Sequence, residues 1–209
     1  MKVLLVNGSP KPEGSTNGAL LALGEELNKN GVETEFFHLA KQSPIEACRA
    51  CNTCLKTGIC VIGDVVNEFI EVSKTVDGFV FGSPVHFAAI SGQLTSFMDR
   101  LFFAQSREKQ MAGKPVAGVV ICRRGGATAA LDQLYKYFAY CHMPIVSGQY
   151  WNMVHGHNAQ QVTEDLEGMQ NMRTLGKNMA WLLNCIQVGK AAGHPFPQQE
   201  KPVFTNFIR

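Results

Sequence analysis

The alternation of short apolar runs with helical periods constrains this chain more than any other feature. Residues 3–6 (VLLV) form a continuous apolar run of the kind a buried parallel strand gives, and a Gly/Ser/Pro/Lys segment, 7–15, follows it. From Thr16 onward Leu20, Leu23 and Leu27 recur at helical spacing, until Asn30-Gly31 supplies a C-terminal stop. The pattern then repeats. The sequence predicts a strand at 32–39, a helix at 65–73 with Val66, Phe69 and Ile70 on one face, a strand at 79–82 and a helix at 94–101. A strand at 116–122, a helix at 129–141, a fifth strand at 144–150 and one long last helix from Val162 to Leu182 complete it. Strands alternating with helices require right-handed crossovers, so the expected fold class is α/β, a doubly wound five-stranded parallel sheet in order 2-1-3-4-5 with helices on both faces.

A chain of 209 residues fits one domain, and no internal repeat divides it. Residues 1–190 read as that domain, with a cysteine-rich insert at 44–63. Residues 191–209 carry three prolines and no helical period, and read as an extended tail. Its Phe196, Phe204, Phe207 and Ile208 need cover, which a neighbouring subunit of a homodimer or homotetramer would supply. With 45% hydrophobic and 17% charged residues the chain has material for a core. A net charge of +2 is too weak a field to argue for nucleic acid or an anionic membrane. No stretch approaches the ~18 apolar residues of a membrane span. Seven cysteines, an odd number with four between 48 and 60, argue against a secreted disulfide framework and for a reducing, cytoplasmic setting.

Three loops follow predicted strands on the ligand-binding edge of such a sheet. The first, NGSPKPEGSTN at 7–17, leads into a helix whose free N–H groups and partial positive charge suit an anion, and Ser9, Ser15, Thr16 and Asn17 add side-chain donors. It lacks the Gly-Lys-Ser/Thr ending of a nucleotide-triphosphate loop and the three-glycine dinucleotide fingerprint, so a single phosphate monoester fits best. The second, at 82–92, places Pro84, Val85, His86 and Phe87 beside the crevice between the first and third strands, where a flat heterocycle would lie. The third, Arg123 to Thr128, carries Arg124, Gly125 and Gly126 toward the far side of the same ligand.

NGSPKPEGSTN, CRACNTCLKTGIC at 48–60, GSPVHFAAISGQLTSFMDR at 82–100, CRRGG at 122–126 and the closing TNFIR resemble the NAD(P)H-dependent FMN reductases and the iron-sulfur flavoproteins of the flavodoxin-like superfamily. The resemblance spans nearly the whole chain. It implies FMN, with Ser9, Lys11, Ser15, Thr16 and Asn17 on the phosphate and Pro84, Val85, His86 and Phe87 bordering the isoalloxazine, near Arg124, Gly125 and Gly126. Members often carry Tyr where this chain has His86. NAD(P)H as donor and a separate electron acceptor, small molecule or protein, are implied with it.

Cys48, Cys51, Cys54 and Cys60 are compact enough to wrap one metal centre, and the first three resemble the run of bacterial ferredoxins. Zinc sites usually separate two cysteine pairs by a longer loop. A [4Fe-4S] cluster and free loop thiols are the two readings of this segment. Cys122, Cys141 and Cys185 fall among apolar residues and read as core. The expected function is thus an FMN-dependent oxidoreductase passing electrons from NAD(P)H through the flavin. The alternative is an electron carrier with FMN and a cluster, reduced by ferredoxin; a regulatory flavoprotein is a third.

Overall fold

The computed structural model describes residues 1–42, 44–201, 203–205 and 207, and of Arg107 and Glu108 the backbone alone. Ile208 of the apolar tail and the Asn206, Ile208 and Arg209 of the closing motif lie outside these residues. The elements run β1 (Lys2–Asn7), α1 (Ser15–Lys29), β2 (Glu33–His38), a 3-10 turn (Leu39–Lys41), α2 (Cys54–Thr57), α3 (Val65–Ser73), β3 (Gly78–His86) and β4 (Ala89–Ile90). They continue with α4 (Gly92–Glu108), β5 (Val116–Cys122), α5 (Ala127–Tyr140), β6 (Met153–His155), α6 (Ala159–Glu164) and α7 (Leu166–Ala191).

The sheet order is β2-β1-β3-β5-β6, all parallel, and β4 pairs antiparallel with the end of β3. The fold is therefore the doubly wound α/β class the sequence predicts. Inward residues of the central strands alternate between two cores. Leu4, Val6, Phe79, Phe81 and Val120 meet α3, α4 and α5 through Phe69, Phe97 and Phe138. Val3, Leu5, Val80, Val119 and Ile121 meet α1 and α7 through Leu20, Leu23, Leu27, Leu175 and Met179. Phe69 sits edge-on to Phe37 and Phe97 at centroid distances of 5.1 Å. A buried ring of this kind contributes ~1.5–3 kcal/mol by burial alone.

Three expectations are corrected. The fifth strand is not at 144–150: the chain touches β5 at Ile145, leaves it, and pairs again at Met153–His155. Asn152 and Asn171 make the excursion stable by meeting its backbone. Asn152 accepts from Gly148 N–H at 3.0 Å and donates to the Val146 carbonyl. Asn171, reaching from α7, accepts from Gln149 and Tyr150 N–H and donates to Trp151. The long last helix is broken at Asp165, whose carboxylate accepts from Gly168 N–H at 2.9 Å and so starts α7 as its N-cap. Cys185 is exposed rather than core, because it lies on the outer face of α7 with Trp181 and Val188. Cys122 and Cys141 are buried, and burial pushes the Cys141 thiol up to about 11.

Candidate functional site

At the carboxyl edge of the sheet the first loop and the β3–β4 hairpin are stitched together. Gly8 N–H donates to the Gly82 carbonyl at 2.8 Å, and the Ser91 hydroxyl donates to the Gly8 carbonyl at 2.6 Å. Ser91 N–H in turn donates to Ser83 Oγ at 3.0 Å. A side chain at position 8 would meet Leu94 at 2.7 Å and the Gly82 oxygen at 3.0 Å, so only glycine allows this approach. Asn7, fully buried, shapes the loop from below: its amide donates to the Pro12 carbonyl at 3.1 Å and its oxygen accepts from Ser9 N–H at 3.0 Å. It also meets His38 Nδ1 at 3.3 Å. Burial, and then the charge of Lys41, hold the His38 imidazole below its ordinary range.

These loops enclose a cleft of about 1020 Å³. Ser9, Lys11, Ser15, Thr16, Pro84, Val85 and His86 of the predicted set line it together. Asn17, Phe87, Arg124, Gly125 and Gly126 do not line it. Phe87 stands fully exposed at the hairpin tip. Gly126, with φ +86°, packs under that hairpin, where a side chain would strike Ala88 at 2.8 Å. Of the third predicted loop only Arg123 lines it, and sequence reasoning missed Lys41, Ile121, Cys122 and the far wall, Gly156 to Gln160. The wall was signalled only by Gly156 and by Asn158, which caps α6 by accepting from Gln161 N–H.

The end of the cleft next to α1 has the donors an anion needs. The N-cap of α1 is Gly14, with no side-chain cap and no acid in the first turn, so its leading N–H groups are left for a ligand. Ser9 Oγ accepts from Lys11 N–H at 3.1 Å, which leaves its own proton to donate. Thr16 Oγ1 is buried and has no hydrogen-bond partner among the described residues. An orphaned hydroxyl at a helix N-terminus, in a cleft that Lys11 also lines, fits a phosphate oxygen. The hairpin that forms the opposite wall has positive φ at Phe87 (51°) and Ala88 (60°), and Val85 and His86 pair with Ile90 and Ala89. That is the two-residue loop normally given to Asn-Gly, here built from side chains that pay for it in strain.

A second cluster lies in the insert between β2 and α3. Cys48, Cys51, Cys54 and Cys60 line one pocket with Arg100 and Phe103 of α4. Burial first, then the charges of Cys60, Cys51 and Cys48, push the Cys54 thiol up. Hydrogen bonds from Thr53 hold Cys51 below its ordinary range. The backbone between the first three cysteines takes positive φ at Ala50 (52°) and Asn52 (60°). No three His, Cys, Asp or Glu side chains converge as on a single ion among the described residues. A four-iron cluster is larger than an ion and spreads its ligands over a pocket.

Fold and cleft together define a doubly wound α/β protein of the flavodoxin-like kind, with a Gly/Ser/Pro loop lining the cleft after its first strand. The chain belongs to the NADPH-dependent FMN reductase family, whose model matches residues 1–158. It is thus a member of an FMN-binding oxidoreductase family. It is 34% identical over 199 residues to an iron-sulfur flavoprotein of Methanocaldococcus jannaschii, covering 90% of this chain and 100% of that one. Among solved structures it resembles RosB with the bound intermediate 8-demethyl-8-formylriboflavin-5′-phosphate, with a TM-score of 0.71 at 13% identity over 100% of this chain and 92% of that one. It resembles a flavodoxin from the domain Archaea with a TM-score of 0.60 at 14% identity, over 88% and 99% of the two chains. At these identities the two structural likenesses speak for the fold alone. Among the described residues no helix is long and apolar enough to cross a membrane.

Proposed function

We propose that the protein is an iron-sulfur flavoprotein that carries electrons between FMN in the cleft and a [4Fe-4S] cluster on Cys48, Cys51, Cys54 and Cys60. The observation that carries this reading is the gathering of all four thiols in one pocket against α4. The naming of the Methanocaldococcus relative supports it. FMN would supply exchange of electrons singly or as hydride. The protein's part is to hold and tune it. The α1 N-terminus with Ser9, Ser15 and Thr16 would hold the phosphate, and Lys11 would balance its charge. Pro84, Val85, His86 and Ile121 would wall the ring and exclude water from it.

A second reading, NAD(P)H as direct electron donor, is favoured by the family model over 1–158. In that reading the open cleft between His86 and the 156–160 wall admits the nicotinamide. One preparation tests both. Protein purified without oxygen is expected to contain about four iron and four sulfide per chain and to absorb beyond the flavin bands. Cys51→Ser should remove that absorbance and leave FMN bound. Titration with NADH and then NADPH reads the donor. Protein that takes up no iron after anaerobic reconstitution would end the cluster reading and leave the nicotinamide one.

A further inference from the structure

Arg100 is the largest fully buried side chain in the molecule's described residues, and its side chain has no exposed surface. Each of its five N–H groups has a partner. Nη1 and Nη2 form a two-pronged bridge to the Asp64 carboxylate, both at 2.7 Å. Nη2 also donates to the Ile62 carbonyl at 3.2 Å and Nη1 to the Glu46 carbonyl at 3.4 Å. The remaining donor, Nε, points at Cys60 Sγ at 3.3 Å. Four bonds pin the two ends of the cysteine loop, and Asn67 adds to the pinning by bonding both the N–H and the carbonyl of Cys60.

The fifth bond is different in kind. A neutral thiol is a weak acceptor and offers a buried guanidinium little. A thiolate, free or metal-bound, is a strong one. Asp64 already balances the charge of Arg100, so what reaches Cys60 is a directed N–H group rather than an uncompensated cation. Among the described residues no equivalent side-chain donor meets Cys48 or Cys54; Cys51 is met by Thr53.

We propose that Arg100 is a positioning residue that sets the reduction potential of the metal centre through the sulfur of Cys60. This rests on the reading that the four cysteines hold a cluster. One-electron reduction adds one negative charge to the cluster and its thiolates. An N–H donor on a ligand sulfur disperses part of that charge and favours the reduced form. Replacing the donor should make reduction harder without removing a ligand.

The test uses the full chain, anaerobically reconstituted with iron and sulfide and reduced with dithionite. Wild-type protein labelled with 15N in the arginine guanidinium is expected to show, by pulsed electron paramagnetic resonance, coupling of the reduced cluster to one arginine nitrogen, and to keep it in Arg49→Lys, a change at the other arginine that lines the pocket. In Arg100→Gln the reduction equilibrium should become about tenfold less favourable, ~59 mV lower for one electron, with the FMN potential unmoved. A loaded wild-type protein with no arginine coupling overturns the proposal, as does loaded Arg100→Gln with an unchanged potential. Should that variant fail to fold or load, the labelled wild type decides. Wild-type protein that takes up no iron ends the cluster reading itself, and the iron and sulfide content identifies that failure separately.

Discussion

Thr16 keeps a buried hydroxyl that no described protein group meets, and this makes it the cleanest single position at which to separate ligand binding from stability. Thr16→Val preserves the shape and removes only the hydroxyl. The apoprotein should melt at the same or a slightly higher temperature, since an unpaired buried polar group costs ~1–3 kcal/mol. FMN affinity, by titration calorimetry, should fall by about tenfold, the loss of one bond to an anion. Asp64 makes a second prediction. Burial opposes its ionisation, but the Arg100 hydrogen bonds, the Val66 N–H and the guanidinium charge outweigh burial and hold its carboxyl below the ordinary range. A lowered carboxyl stabilises above its unfolded value, ~3.9, and that contribution is lost as pH falls through the folded value. Cys54 should therefore resist dithiodipyridine from neutrality down to about pH 4 and become reactive below it, against the intrinsic trend of thiols, which react more slowly in acid. That the hydroxyls of the first loop would line the cleft was legible in the sequence, because a loop between the first strand and first helix of a doubly wound sheet lies on its ligand-binding edge. Arg100 was not: within SFMDR it reads as a solvent-facing helix residue, and only the fold brings Asp64 and Cys60 to it.

Among the elements, the β3–β4 hairpin has a backbone that works against its residues. Phe87 and Ala88 occupy the left-handed region where a side chain costs ~1–2 kcal/mol. Ala88→Gly should raise the unfolding free energy by roughly 1 kcal/mol, read from denaturant midpoints at unchanged slope. If the stability falls instead, packing of the Ala88 methyl over Gly126 outweighs the strain. Strands and helices of the core were legible because their apolar periods are long and uninterrupted. The edge was not. Gly148 and Asn152 turn the chain away from β5, and the partner that fixes the detour, Asn171, lies on another element. Asp165 is hidden for a similar reason: its carboxylate joins the N-terminus of α7 to the His155 N–H of β6, a bond of 2.7 Å that no local pattern encodes.

For the whole molecule, the outer face of α7 carries Trp181, Cys185 and Val188, and the tail leaves Val203, Phe204 and Phe207 exposed. Apolar surface of this extent is expected to be covered by another copy of the chain. Light scattering at micromolar concentration should give a dimer or tetramer, and Trp181→Glu should shift it toward monomer. A monomer with the tail intact would contradict this. The cysteine segment leads to a different consequence. Its loop is already tied by Arg100, Asp64 and Asn67 through bonds that involve no metal. Small metal domains that fold only on their ion collapse when it is withheld. On the proposed cluster reading, protein made without iron should therefore stay folded and still bind FMN, because the bonds that shape the cysteine loop do not depend on a metal.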